Sequence, residues 1–189
     1  MASRTQIVCL CEGEKGKSID EVFINRLIKS LDPSWLRPLR GSNTLRIVSC
    51  GGRTQVIEKM PQELKNCIKA GSNTTLMVFA ECDHDCVDGG TLKADFWKES
   101  QRQSITKEDF DSVVFIFAKD RLENWIEYLQ TGKCNEDVES PRVRNGREVA
   151  DAARKLASFC RDGKQIDGLP PSLKWSCKNW RLLVARMSI

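Results

Sequence analysis

The hydrophobic positions along the chain fall into two kinds of pattern. Four short runs, Gln6 to Cys11, Leu45 to Cys50, Thr75 to Ala80 and Val113 to Ala118, are near-continuously apolar. Runs of this kind, unlike alternating ones, predict strands covered on both faces, as in a parallel sheet between two helical layers. Between them the period lengthens. Phe23, Ile24, Leu27, Ile28 and Leu31 recur at helical spacing behind Ser18-Ile19-Asp20-Glu21, which has the form of a capping box, and the helix must stop before Pro33. A second helix is expected from Pro61 through Leu64, Cys67 and Ile68 to a Gly71 terminator. The polar stretch 86–110 reads as a long connection or an exposed helix. Leu122, Trp125, Ile126 and Leu129 predict a helix ending near Gly132, Val149 to Cys160 another, and Leu173 to Met187 a last one.

Strand and helix therefore alternate over the first hundred residues, which implies a parallel sheet. The fold class is α/β: a Rossmann-like, four-stranded parallel sheet flanked by helices. Residues 1–135 form the core, and residues 136–189 form a basic helical extension packed on it. A chain of 189 residues leaves little room for two independent cores. No apolar run approaches a membrane span, the first ten residues are too weakly apolar for an export signal, and nine cysteines then imply reduced thiols and a cytoplasmic location.

Charge sharpens this picture. The net +4 conceals a gradient: residues 141–189 carry 11 Lys/Arg against 4 Asp/Glu, whereas the preceding 140 carry 19 against 22. An acidic front with a basic tail suits a metal site in one place and a polyanion in another. A single histidine, His84, excludes multi-histidine zinc centres. It lies between Asp83 and Asp85 and, in an extended segment, points away from both, which favours a structural or supporting role. Cys82, His84 and Cys86 are too closely spaced for a zinc knuckle. Gly13 to Gly16 falls two residues short of a phosphate-binding Walker loop. Cys9, Cys11, Cys50, Cys67 and Cys160 read as small core residues.

Ligands of an open parallel sheet gather beyond the carboxyl ends of its strands. There the chain places Glu12-Gly13 after the first strand, Gly51-Gly52-Arg53 after the second, Glu81-Cys82-Asp83-His84-Asp85 after the third, and Asp120 and Glu123 after the fourth. Carboxylates brought to one edge repel, and a hard divalent cation is the simplest compensation.

Glu12-Gly13, Gly51-Gly52 and Asp83-His84-Asp85, in this order, resemble the Toprim domain, the catalytic module of topoisomerases, primases, overcoming-lysogenization-defect nucleases and small ribosomal-RNA maturases. The resemblance covers roughly residues 5–130. It is closest to small stand-alone Toprim-like proteins of bacterial defence islands, with which Leu122-Glu123-Asn124-Trp125-Ile126 shares a Glu-x-Trp element. The chain departs from the pattern in that Asp20 is the nearest aspartate beyond Glu12-Gly13.

The resemblance implies Mg²⁺ or Mn²⁺ held by Glu12, Asp83, Asp85 and Asp88. Glu12, Asp83, Asp85 and Glu123 (or Asp120) would be the catalytic groups, and the reaction metal-dependent hydrolysis of nucleic-acid phosphodiesters, with DNA favoured over RNA and an antiphage role. Lys15, Lys17 and Arg53 are the expected phosphate contacts. Lys174, Lys178 and Arg181, interleaved with Trp175 and Trp180, are further candidates for nucleic acid, although packing of the last helix is the stronger expectation. The alternative is a catalytically inactive effector subunit partnered by a separately encoded ATPase. No membrane partner is expected, and an oligomer is allowed.

Overall fold

The computed structural model describes residues 6–16, 18–31, 45–72, 74–82, 84, 89–162 and 168–186. Four strands, β1 (Gln6–Cys11), β2 (Leu45–Ser49), β3 (Thr74–Cys82) and β4 (Val114–Lys119), make one all-parallel sheet in the order β2-β1-β3-β4. The predicted strands are thus present within one or two residues at each end. Seven helices complete the described fold: α1 (Ile19–Leu31), α2 (Arg53–Ala70), α3 (Gly90–Arg102), α4 (Lys107–Asp111), α5 (Leu122–Thr131), α6 (Gly146–Asp162) and α7 (Pro171–Arg186).

Helices cover both sheet faces and bury β1, β3 and β4, which is why these strands read as unbroken apolar runs, while the edge strand β2 stays partly exposed. On one face Cys9, Met77, Phe79 and Ile116 meet Phe23, Leu27 and Ile28 of α1, Trp125 and Ile126 of α5, and Val149, Ala153 and Leu156 of α6. On the other, Val8, Leu10, Val78, Phe115 and Phe117 meet Val56, Met60 and Leu64 of α2, Leu92 and Phe96 of α3 and Phe110 of α4. Helices α6 and α7 share this core: α6 lies against α1, and Leu173, Trp180 and Leu183 of α7 join the first face.

Helix α7 covers the free edge of β4. The Ser176 hydroxyl lies 2.9 Å from the Phe117 N–H and 3.0 Å from the Phe117 carbonyl; Ser172 Oγ accepts from the Lys119 N–H at 3.2 Å, and Asn179 Nδ2 donates to the Phe115 carbonyl at 2.9 Å. Four helical residues rise about 6 Å, close to the roughly 6.7 Å spanned by two strand residues. A polar row along α7 can therefore satisfy every second residue of an edge strand, which would otherwise invite pairing with another chain. Trp175, offered by the sequence as a stacking platform, is itself stacked on Phe117 with ring centres 5.2 Å apart, and Trp180 is buried. Both are packing residues here.

Three expectations need correction. Helix α2 begins two turns before Pro61, which sits in its interior. The proline forfeits one backbone hydrogen bond, but Val56, Met60, Leu64 and Cys67 form a buried stripe running through it, and that burial holds the helix together. The region 86–110 includes two helices, with Leu92, Phe96 and Phe110 buried. The capping box is only half made. Ser18 Oγ accepts from the Asp20 N–H at 3.0 Å, whereas Glu21 turns away to Ser49 Oγ (2.5 Å) and the Gly16 N–H (3.3 Å). No helix among the described residues is long and apolar enough to cross a membrane.

Candidate functional site: a carboxylate cleft with an arginine lip

The chain crosses from β1 to β2 on one side and later to β3 on the other, so the crevice between β1 and β3 is the switch point of the sheet. Glu12 follows β1 directly, and its Oε1 accepts a 2.8 Å hydrogen bond from the backbone N–H of Glu81 in β3. Glu81 continues the inward column Met77-Phe79 on the α1 side of the sheet. Its Oε1 accepts from the Leu122 N–H at the start of α5, at 2.9 Å. The acidic residue at the end of each central strand is thus tied to an element distant in sequence, Glu12 to β3 and Glu81 to α5.

These groups open onto a cleft of about 440 Å³ whose acidic lining is Glu12, Asp20, Glu81, Asp120 and Glu123, with Arg121, Arg142 and Arg144 as its basic lining. Two turns make the cleft possible. A Cβ on Gly13 would lie 2.0 Å from Ser18 Oγ, so only glycine lets the chain after Glu12 pass the start of α1, where Asp20 Oδ2 accepts from the Gly13 N–H at 3.1 Å. Gly51 and Gly52, with φ of 85° and 153°, turn β2 into α2 in a region that disfavours side chains. Arg53, immediately after them, donates to the Glu81 carbonyl at 3.4 Å.

Electrostatically the floor is strained. Burial pushes the Glu81 carboxyl up from 4.5 to about 8; the Leu122 N–H opposes this, while Asp20, Glu12 and Glu123 add to it by repulsion. Asp20 is raised too, mainly by burial, against its bonds to Ser18 and Gly13 and with Glu123 and Glu21 adding to the rise. The adjacent thiols are no nucleophiles, since burial holds Cys9 far above its usual range and Cys11 at about 12. At the rim, His84 Nδ1 sits 3.0 Å from Asp120 Oδ2, with His84 exposed. Asp120 itself has φ 58°, and its N–H extends the β3–β4 ladder by bonding the Cys82 carbonyl at 2.8 Å.

Of the residues singled out by sequence, the fold brings Glu12, Glu123 and Asp120 together. Lys15 is exposed beside the cleft without lining it, and Lys174 and Lys178 lie on α7 at the β4 edge. Asp83, Asp85, Asp88 and Lys17, and the Arg181 side chain, lie outside the described residues. The sequence places Glu81 at the end of the third strand without giving it a role, offers none for Arg121, Arg142 and Arg144, and marks Asp20 only as a departure from the family pattern. Glu81 carried a signal: a carboxylate that continues the apolar alternation of a buried strand. Arg121 carried the strand-end position that also picks out Asp120; Arg142 and Arg144 carried no signal, because the loop holding them meets the cleft only through the fold.

The donor set is all oxygen and mutually repulsive, the chemistry that a hard cation such as Mg²⁺ or Mn²⁺ relieves. Among the described residues no three Asp, Glu, His or Cys side chains converge to hold an ion by themselves. Comparison of the chain with protein-family models, with curated proteins and with solved structures finds no significant match in any of the three.

Proposed function

We propose that the protein is a Toprim-like, Mg²⁺- or Mn²⁺-dependent nuclease that hydrolyses nucleic-acid phosphodiesters, with DNA the favoured substrate, acting in the bacterial cytoplasm as an antiphage effector. The observation that carries this reading is the cleft at the switch point, where Glu12 and Glu81 are locked together and five carboxylates share a wall with arginines. Glu12, Asp83 and Asp85, with Asp88, are the residues that would hold the cation. When bound, it would activate water and neutralise charge on the phosphate. Glu123 and Asp120 line the same cleft and would orient a water or a leaving oxygen. Arg53 and Lys15 flank it for phosphate contact.

The decisive test is cleavage of a labelled DNA or RNA strand with and without Mg²⁺, in the wild type and in Asp83→Asn and Asp85→Asn. We expect cation-stimulated cleavage that both substitutions abolish without unfolding the protein. Full activity in either variant would sink the reading.

One observation favours the alternative, an inactive subunit that serves a separate ATPase. Glu12 and Glu81 both spend an oxygen on a backbone N–H, as structural carboxylates do. Absence of any cation effect on cleavage or melting would select that alternative.

A further inference from the structure

Residues 140–145 cross the mouth of the cleft, and the fold fixes this short bridge at several points. Ser140 donates its N–H to Oδ1 of Asn124 at 2.8 Å and its hydroxyl to Glu127. Asn124 is fully buried in α5, and its Nδ2 also donates to the Lys119 carbonyl at 3.3 Å. At the other end Asn145 begins α6, its carbonyl accepting from the Val149 N–H at 3.2 Å and its Oδ1 from the Arg147 N–H at 3.0 Å. Between these anchors Val143 packs against the core. Upstream, buried Glu136 accepts from the Ser172 N–H at 3.1 Å and from the Ser172 hydroxyl, which ties the same connection to α7.

What this bridge displays is Arg142 and Arg144. Both are exposed and line the carboxylate cleft, yet neither pairs with any described residue. Arg121, by contrast, is held by Glu139. Were these arginines present only to balance the acidic wall, they would close onto it. Instead neither forms an ion pair with the described carboxylates, so both guanidinium groups are left for a ligand. Both arginines also line a second hollow of about 530 Å³, which shares Glu123 with the first and has Glu127 and Glu148 as its other acidic lining. Arg142, Val143 and Arg144 line both hollows, so an extended strand gripped by the two arginines can reach into each.

We infer that Arg142 and Arg144 form a phosphate clamp that holds a single nucleic-acid strand across the carboxylate cleft, presented there by the Asn124–Ser140 latch. The inference rests on the nucleic-acid reading above and adds to it the residues that grip the strand. A planar guanidinium forks onto two phosphate oxygens, and a pre-positioned one loses little freedom in doing so. The clamp works without a cation, so its failure and that of the nuclease reading are separable.

The experiment measures fluorescence anisotropy of a labelled single-stranded oligonucleotide, of about a dozen nucleotides, in EDTA across a series of salt concentrations. Three proteins are compared: the wild type, Arg142→Ala with Arg144→Ala, and a charge-matched pair on exposed α6, Arg154→Ala with Lys155→Ala. Circular dichroism and melting confirm folding of each. The clamp variant is expected to bind about tenfold more weakly or worse, with a slope of log K against log salt shallower by about 1.4, near 0.7 for each phosphate that is no longer neutralised. The control pair is expected to keep the wild-type slope.

An unchanged clamp variant, or equal losses in both variants, overturns the inference. Failure of the wild type to bind in EDTA overturns the clamp and leaves the nuclease reading to the cleavage test with Mg²⁺ or Mn²⁺. Binding lost as expected, in a protein that never cleaves with Mg²⁺ or Mn²⁺, leaves the clamp standing and removes the nuclease.

Discussion

The carboxylate of Glu12 is bonded to the backbone N–H of Glu81 at 2.8 Å, across the point where the sheet reverses its winding. One side chain therefore does two things: it closes the gap between β1 and β3 and it keeps an oxygen at the cleft. These roles separate on substitution. Glu12→Gln retains an acceptor for the Glu81 N–H and should keep wild-type stability within about 1 kcal/mol while losing cation-stimulated cleavage. Glu12→Ala leaves that N–H unpaired and should cost about 1–3 kcal/mol in urea unfolding. Equal stability losses in the two variants would show that the bond does not hold the two strands together.

Glu81 sets a pH dependence. Its folded carboxyl titrates near 8 and its unfolded one near 4.5, so the folded state binds the extra proton between those values. This contribution to stability is fully present below about 4.5 and is lost as pH rises through 8. The slope is at most about 1.4 kcal/mol per pH unit from this one group. Glu81→Gln should flatten the curve of unfolding free energy against pH in that window. A variant whose curve still falls like the wild type's would assign the effect to another group.

Repulsion on the cleft floor gives a prediction for added cations. Mg²⁺ or Mn²⁺ in millimolar excess should raise the melting temperature, more at pH 8 than at pH 6, because Glu81 on the cleft floor, whose carboxyl is pushed up to about 8, loses its proton towards the upper end of that range. EDTA should reverse the shift. A shift of the same size in Asp83→Asn would place the ion elsewhere.

The α5 latch is testable by itself. Asn124→Ala removes two buried hydrogen bonds and orphans the Ser140 N–H, and should destabilise the protein by about 2–3 kcal/mol. Hydrogen exchange should quicken selectively over residues 140–144. Uniform quickening across the chain would mean that Asn124 serves the core alone.

The seal of the β4 edge predicts an association phenotype. Ser176→Ala leaves the Phe117 N–H and carbonyl without their helix partner, at a cost of about 1–3 kcal/mol. The exposed edge should promote concentration-dependent oligomers on size-exclusion chromatography after partial unfolding. A variant that melts earlier yet stays monomeric would limit α7 to a packing role.

The unbroken apolar runs of the four strands, the helical spacing of Phe23 to Leu31 and the left-handed Gly132 after α5 are local features, legible one residue at a time. They determined by themselves the alternation of strand and helix and the burial of both sheet faces. The same reasoning placed Glu12 and Glu123 at strand ends, because a chain leaving a parallel strand must deliver its next residues to the carboxyl edge.

Pro61 was misleading as a start signal because the stripe of Val56, Met60, Leu64 and Cys67 outweighs one missing hydrogen bond, a comparison that needs the partner face. Sequence order likewise could not reveal that Arg142 and Arg144 line the same cleft as Glu12, since some 130 residues separate them and the packing of α6 on α1 and of Ser140 on α5 closes that distance. Nor could it show that the seryl row of α7 is spoken for by β4. Pattern fixes what is buried, because burial follows from each residue's own chemistry. Which charges share a cleft is decided by tertiary structure, because that depends on where the chain returns.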